Sequence, residues 1–160
     1  MSRPSNDEYF LGIAQAVSKR ATCGRRMVGT VLTDRNHNII STGYNSVASG
    51  IPHCPDEALC AGAFDKSGDS SRCIARHSED IAIAKCSDIY KIHTCYVTAS
   101  PCVHCVRRLL DTSCKRVVFI EEYTDTTGRV LWESRGLQWS HVEIQPMSSG
   151  IQNACCKGVI

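Results

Sequence analysis

A mixed α/β domain is predicted by three features of this 160-residue chain: β-prone runs recur between stretches of helical periodicity, a proline stands where one run meets a helix, and 42% of residues are hydrophobic. That length and composition suit one domain with an ordinary core. No segment approaches the roughly 18 uninterrupted apolar residues of a membrane span. Residues 1–8 lack the apolar stretch of a secretory leader, so a cytoplasmic protein is expected.

Ser5 or Asn6 can cap a first helix, in which Phe10, Ile13, Ala14 and Val17 form an apolar stripe at helical spacing. Residues 28–32 and 38–44 read as strands joined by the polar turn 34–37, a hairpin. Residues 45–76 carry Gly, Pro, Asp, Ser and three cysteines without sustained periodicity, and so long a loop is usually functional or held by something such as a metal. A helix begins near His77 and includes Ile81, Ile83 and Ala84. The remainder alternates: strand 95–99, helix 102–112, strand 116–121, helix 129–135 and strand 141–144. From Pro146 onward periodicity fades, so residues 1–145 are expected to form the domain and 146–160 a tail. Cys155 and Cys156 do not make a prenylation box, because Lys157 stands fourth from the end.

The chemistry concentrates at His77-Ser78-Glu79 and Pro101-Cys102-Val103-His104-Cys105. Cys102 and Cys105 are three apart, so with Pro101 at the helix start both sulfurs share a face near the positive end of the helix dipole, where thiolates are favoured. One imidazole and two thiolates give Zn²⁺ three protein ligands and leave its fourth tetrahedral position open, the arrangement of a catalytic site. Zinc lowers the pKa of its bound water toward roughly 7. Glu79, two residues from a ligand, can accept and deliver protons there. His104 falls off the face the cysteines share and is assigned to the surface.

Each half is weak alone, since Cys-x-x-Cys can be a redox pair or half a structural zinc knuckle and His-x-Glu is common. Their order, with Pro101 at a strand-to-helix junction, gives the motif the context that it requires. The placement of His77 and Cys102 at the starts of successive helices predicts two helix N-termini converging on one zinc. Eleven cysteines, an odd number, fit metal binding plus buried thiols in a reducing compartment better than disulfides. A net charge of +2 and no long basic run argue against a nucleic-acid partner.

The H-x-E and P-C-x-x-C pair is the signature of zinc-dependent base deaminases, and the chain from about Asp7 to Ile144 resembles the deoxycytidylate deaminase family of the cytidine deaminase-like superfamily. Residues 43–45 resemble that family's G-Y-N segment, residues 96–102 its Y-V-T-x-x-P-C stretch, and Glu122-Tyr123 the E-Y that ends the next strand. The resemblance implies a three-layer α/β/α sandwich around a five-stranded mixed sheet. It implies that Asn45 holds sugar or base, that the backbone of Thr98, Ala99 and Ser100 reads the pyrimidine edge, and that Tyr123 lines the deoxyribose. Phosphate recognition needs cations, for which Arg25 and Arg26 are the candidates. Each has a plainer reading: Asn45 as a turn former, Tyr123 as a strand cap, the arginines as solvated charges.

Some bacterial and phage relatives carry a structural zinc where Cys23, Cys54, Cys60 and Cys73 fall here, and His53 can replace one of them. Four thiolates would close a tetrahedral site; the plainer reading is buried thiols. The resemblance further implies deamination of dCMP to dUMP for thymidylate synthesis, a homo-oligomer, often a hexamer, and dCTP and dTTP as effectors with Mg²⁺ accompanying a triphosphate. The chain departs from the family at Ile81, where Asn is common, and at Ser46 to Ala48, where the family has G-x-P. Those departures leave deamination of dCTP, alone or with dCMP, as the alternative. A polynucleotide or tRNA base deaminase would need a basic, aromatic channel, whereas aromatic residues are 6% of this chain. A non-enzymatic zinc module leaves Glu79 without a role.

Overall fold

Helix α1 (Asn6–Ser18) starts where the Ser5-x-x-Glu8 spacing builds a capping box: Glu8 N donates to Ser5 Oγ at 3.2 Å, and Ser5 N donates to Glu8 Oε2 at 2.7 Å. The computed structural model describes residues 3–54, 60–62 and 71–144, so the expected tail lies outside it. After α1 come β1 (Gly29–Thr33), β2 (Ile39–Tyr44), α2 (Ser78–Lys85), a 3₁₀ turn (Ile89–Lys91), β3 (Thr94–Ala99), α3 (Val103–Leu110), β4 (Arg116–Glu121), α4 (Thr127–Glu133) and β5 (Gln138–His141).

The five strands form one sheet in the order β2-β1-β3-β4-β5. β1 runs antiparallel to β2 and β3, while β3-β4-β5 are parallel, so the sheet is mixed as expected. Alternation along the strands sorts side chains between two cores. Leu32, Cys95, Val97, Val117 and Phe119 face α2, α3 and α4. Val31, Tyr96 and Val118 face Phe10, Leu11 and Ala14 of α1. The three layers are therefore α1, the sheet, and the other three helices. No helix among the described residues is long and apolar enough to cross a membrane.

Several boundaries shift by one to three residues from the sequence expectation, and two have a clear physical reason. β5 covers Gln138–His141, not residues 141–144, because Gly136, at φ +69°, ends the turn after α4 and sends the chain directly into pairing with β4, from Gln138 against Arg116. Val142 and Ile144, whose alternation suggested the strand, instead pack toward the α1 core. α4 begins two residues early because Asp125 Oδ1 accepts from Thr127 N at 2.9 Å and from Thr127 Oγ1 at 2.6 Å, fixing the first turn. Near the site one glycine is obligatory: a Cβ on Gly43 would stand 2.2 Å from Ser78 O and 2.6 Å from Ala82 N. Its absence lets α2 lie directly on β2.

Candidate active site

His77 and Cys102 occupy the N-cap positions of α2 and α3, and neither cap is filled by a side-chain hydrogen bond. His77 Nδ1 lies 3.5 Å from Cys102 Sγ and 3.4 Å from Cys105 Sγ. Zn–N and Zn–S bonds of about 2.05 and 2.3 Å at a tetrahedral angle separate the two donor atoms by roughly 3.6 Å. The trio therefore fits zinc in both chemistry and spacing. Among the described residues, it is the one group of three or more possible ligands whose donor atoms all lie within 4.8 Å of one another. His104 between the cysteines is exposed, as expected.

The donors are electrostatically prepared. Cys105 hydrogen-bonds to Cys102, which with the neighbouring His77 draws the Cys102 thiol down to about 3. The same contact with Cys102 lifts His77 to about 9. Cys105 is pushed well above an ordinary thiol by its bond to Cys102 and by burial. Zinc binding replaces the protons that these groups share. Glu79, beside them, is only 4% exposed, and burial raises its carboxyl above the ordinary range. Ser78 Oγ donates to Glu79 Oε2 at 3.0 Å and lies 2.7 Å from Thr30 Oγ1.

His77, Glu79 and Cys102 open onto a cavity of about 340 Å³. Asn45, Ala99, Ser100, Tyr123, Arg25 and Arg26, all singled out from sequence, line it. Thr98 does not: its Oγ1 accepts from Gly29 N at 3.2 Å, and it borders an adjacent hollow with Gln15, Met27 and Ile120. Asn45 ties down its own surroundings, with Oδ1 accepting from Val28 N at 2.8 Å and Nδ2 donating to Arg26 O at 2.6 Å. Ser100 Oγ accepts from Tyr123 N at 2.7 Å, joining the ends of β3 and β4.

Sequence reasoning missed Arg76, which also lines the cavity. Its signal was adjacency to His77, hidden by the irregular run before it. The backbone there is ordered by a two-residue bridge: Arg76 N donates to Ser46 O at 2.9 Å, and Ser46 N to Arg76 O at 3.2 Å. Among the described residues, Glu79 is the single carboxylate lining the cavity, with Arg25, Arg26 and Arg76 as its cations.

The four loop cysteines gather beside this cavity, which Cys23 and Cys73 also line. Cys60 Sγ and Cys73 Sγ are 4.0 Å apart. Cys54 is close enough to Cys60 and Cys23 to feel both electrostatically. Burial, with Cys23 and Cys60 nearby, raises Cys73 to about 11. His53 is exposed.

The sequence profile of the cytidine and deoxycytidylate deaminase zinc-binding region matches residues 4–121. A deoxycytidylate deaminase of Mycobacterium phage D29 is 39% identical over 128 residues, spanning 76% of this chain and 99% of its own. ComE operon protein 2 of Bacillus subtilis is 31% identical over 158 residues, spanning 96% of this chain and 79% of its own. The fold is that of the dCMP deaminase from cyanophage S-TIM5, solved in complex with dCMP and dUMP, with a TM-score of 0.69 and 24% identity over 88% of this chain and 99% of that one. With the zinc-ligand trio, the buried glutamate and the five-stranded sheet in place, the chain belongs to the zinc-dependent cytidine and deoxycytidylate deaminase family.

Proposed function

We propose that the chain hydrolyses dCMP to dUMP and ammonia. The observation that carries this reading is the juxtaposition, in one cavity, of His77 and Cys102, buried Glu79, and the side chains of Arg25, Arg26 and Arg76. Zinc held by His77, Cys102 and Cys105 supplies a Lewis acid and a water activated at neutral pH. Glu79, kept from solvent and raised by burial, takes one proton from the attacking water and passes it to the ring nitrogen, then takes the second from the hydroxyl now on C4 and passes it to the departing amine. Water adds at C4 and ammonia leaves, so the balance closes without a further reactant.

Ser78 steadies the Glu79 carboxyl through its 3.0 Å hydrogen bond. Ser100 accepts from Tyr123 N, and its own O–H is left to donate to the ring. Asn45 acts on the substrate through the loop it fixes, holding Val28 and the Arg26 carbonyl so that the arginine pair faces the cavity. Arg25, Arg26 and Arg76 supply the cations for phosphate. A dCTP reading shares the ring chemistry and is favoured by the exposure of Arg26 and Arg76, where further phosphates can reach them.

Ammonia release from a panel of dCMP, dCTP, CMP, deoxycytidine and single-stranded DNA tests the assignment. Turnover greatest with dCMP supports it, and preference for dCTP, the nucleoside or DNA overturns it. A second, structural zinc is proposed at Cys23, Cys54, Cys60 and Cys73, supported by their gathering beside the cavity. Two zinc ions per chain, falling to one in Cys54→Ser, is the expected metal content; a single zinc unchanged by that substitution would remove it. A homo-oligomer and a response to dCTP and dTTP are likewise proposed from the family, and light scattering with and without each triphosphate tests both.

A further inference from the structure

Asp80 stands three residues after His77, and Arg108 stands three residues after Cys105, so each metal-bearing helix presents one charge a turn beyond a ligand. The charges meet. Arg108 Nε lies 2.7 Å from Asp80 Oδ1, an ion pair that satisfies distance without the alignment of a hydrogen bond. Arg76 Nε donates to Asp80 Oδ2 at 2.7 Å, and Arg76 itself directly precedes His77. One carboxylate thus joins the residue before the first ligand, the first turn of α2, and the body of α3.

We propose that Asp80 is a positioning residue for the zinc site, with Arg76 and Arg108 completing a brace that holds His77 at fixed distance from Cys102 and Cys105. Exposed isolated pairs contribute little, but Asp80 is only 19% exposed at its side chain and engages two cations, which makes this a network. Elsewhere α2 and α3 touch lightly, and most of the packing of α2 is on β2. The brace therefore bears on the part of the site where β-sheet packing does not fix helix against helix. Ile81, the next residue, is buried and carries no polar group, so the polar tether at this end of α2 falls to Asp80. The proposal rests on the zinc assignment but not on the substrate, since its test reads metal release.

The two explanations of any effect make opposite predictions at Arg108. If Asp80 and Arg108 acted on zinc through charge alone, removing the cation would tighten binding of Zn²⁺. If they act as a brace, removing it loosens the site. Zinc release from the loaded protein into a chromogenic chelator, followed in parallel with the decay of deaminase activity to identify the catalytic ion, separates them. Arg108→Met keeps the aliphatic stem, and about tenfold faster release is expected, the lower end of the usual effect of outer partners on metal sites. Arg108→Lys, which restores the charge, should release at close to the wild-type rate. Asp80→Asn should be at least as fast as Arg108→Met, and combining them should add little to Asp80→Asn alone. Wild-type or slower release from Arg108→Met overturns the proposal, as do equal rates for the Lys and Met variants or fully additive effects. Should Asp80→Asn fail to fold, the two variants at Arg108, whose side chain is 53% exposed, decide the matter.

Discussion

Arg26 shows what a single residue in this cavity can decide. It is exposed, paired with Glu121 at its outer side, and anchored through its carbonyl by Asn45. A substrate phosphate would compete with Glu121 for its guanidinium, so Arg26→Ala is expected to raise KM for dCMP by roughly tenfold or more, the scale of one charged hydrogen bond. Deoxycytidine, which has no phosphate, should be turned over as before; steady-state kinetics on the two substrates make the comparison. An equal loss on both would remove Arg26 from phosphate recognition. At this scale the sequence was most legible where spacing itself is the chemistry. His77, Glu79, Cys102 and Cys105 fall together because N-cap positions and a three-residue step dictate their geometry. The side-chain direction of Thr98 and the place of Arg76 were not legible. Which way a strand residue faces and what borders a loop depend on contacts with distant segments, here Gly29 and Ser46.

Among the elements, α2 has the most at stake, since it carries both His77 at its cap and Glu79 in its first turn. Its seat on β2 depends on Gly43. A methyl group there would meet the backbone of Ser78 and Ala82, which cannot turn aside as a side chain can. Gly43→Ala is therefore expected to destabilise the fold by about 1–3 kcal/mol, the range for overpacking. It should also speed zinc loss, because the displaced element bears a ligand. Denaturant midpoints and chelator-driven release check the two effects, and a neutral midpoint would contradict the close approach. The order and type of every strand and α-helix could be read from periodicity, since buried faces repeat at 2.0 or 3.6 residues. Their ends could not always be. β5 was placed three residues late because Val142 and Ile144 alternate like a strand while packing beyond its end, toward α1.

Across the whole molecule, an ion pair adds to the apolar packing that holds α1, the layer opposite the active site, on the sheet. Asp7 on α1 receives both Arg116 Nη1 at 2.7 Å and Nη2 at 2.6 Å from β4, and Tyr96 Oη donates to it from β3 at 3.2 Å. The Arg116 guanidinium holds the Asp7 carboxyl below its ordinary 3.8. A depressed folded value stabilises above the unfolded one and loses that contribution as pH falls through the folded value. At pH near 6, Asp7→Asn should lower stability by about 1–3 kcal/mol, the scale of hydrogen bonds to charged groups. The gap should close progressively below about pH 4 as wild-type Asp7 is protonated. Thermal unfolding of both proteins at several pH values measures it, and a gap independent of pH would contradict the assignment. This tie was invisible in the sequence because its partners are 109 residues apart. The three-layer arrangement was implied by the resemblance to the family, while the periodicity of the chain by itself pointed to a mixed α/β layer.

The central claim is that Glu79 moves the protons of deamination at the site formed by His77, Cys102 and Cys105. It is tested most directly by comparing conversion of dCMP to dUMP by wild-type protein and by Glu79→Gln, each with its zinc content measured. The account predicts that the variant retains zinc at wild-type stoichiometry and loses roughly 10²-fold or more in kcat, the scale of general acid/base catalysis. A zinc-loaded Glu79→Gln protein that turns over dCMP at close to the wild-type rate would contradict it.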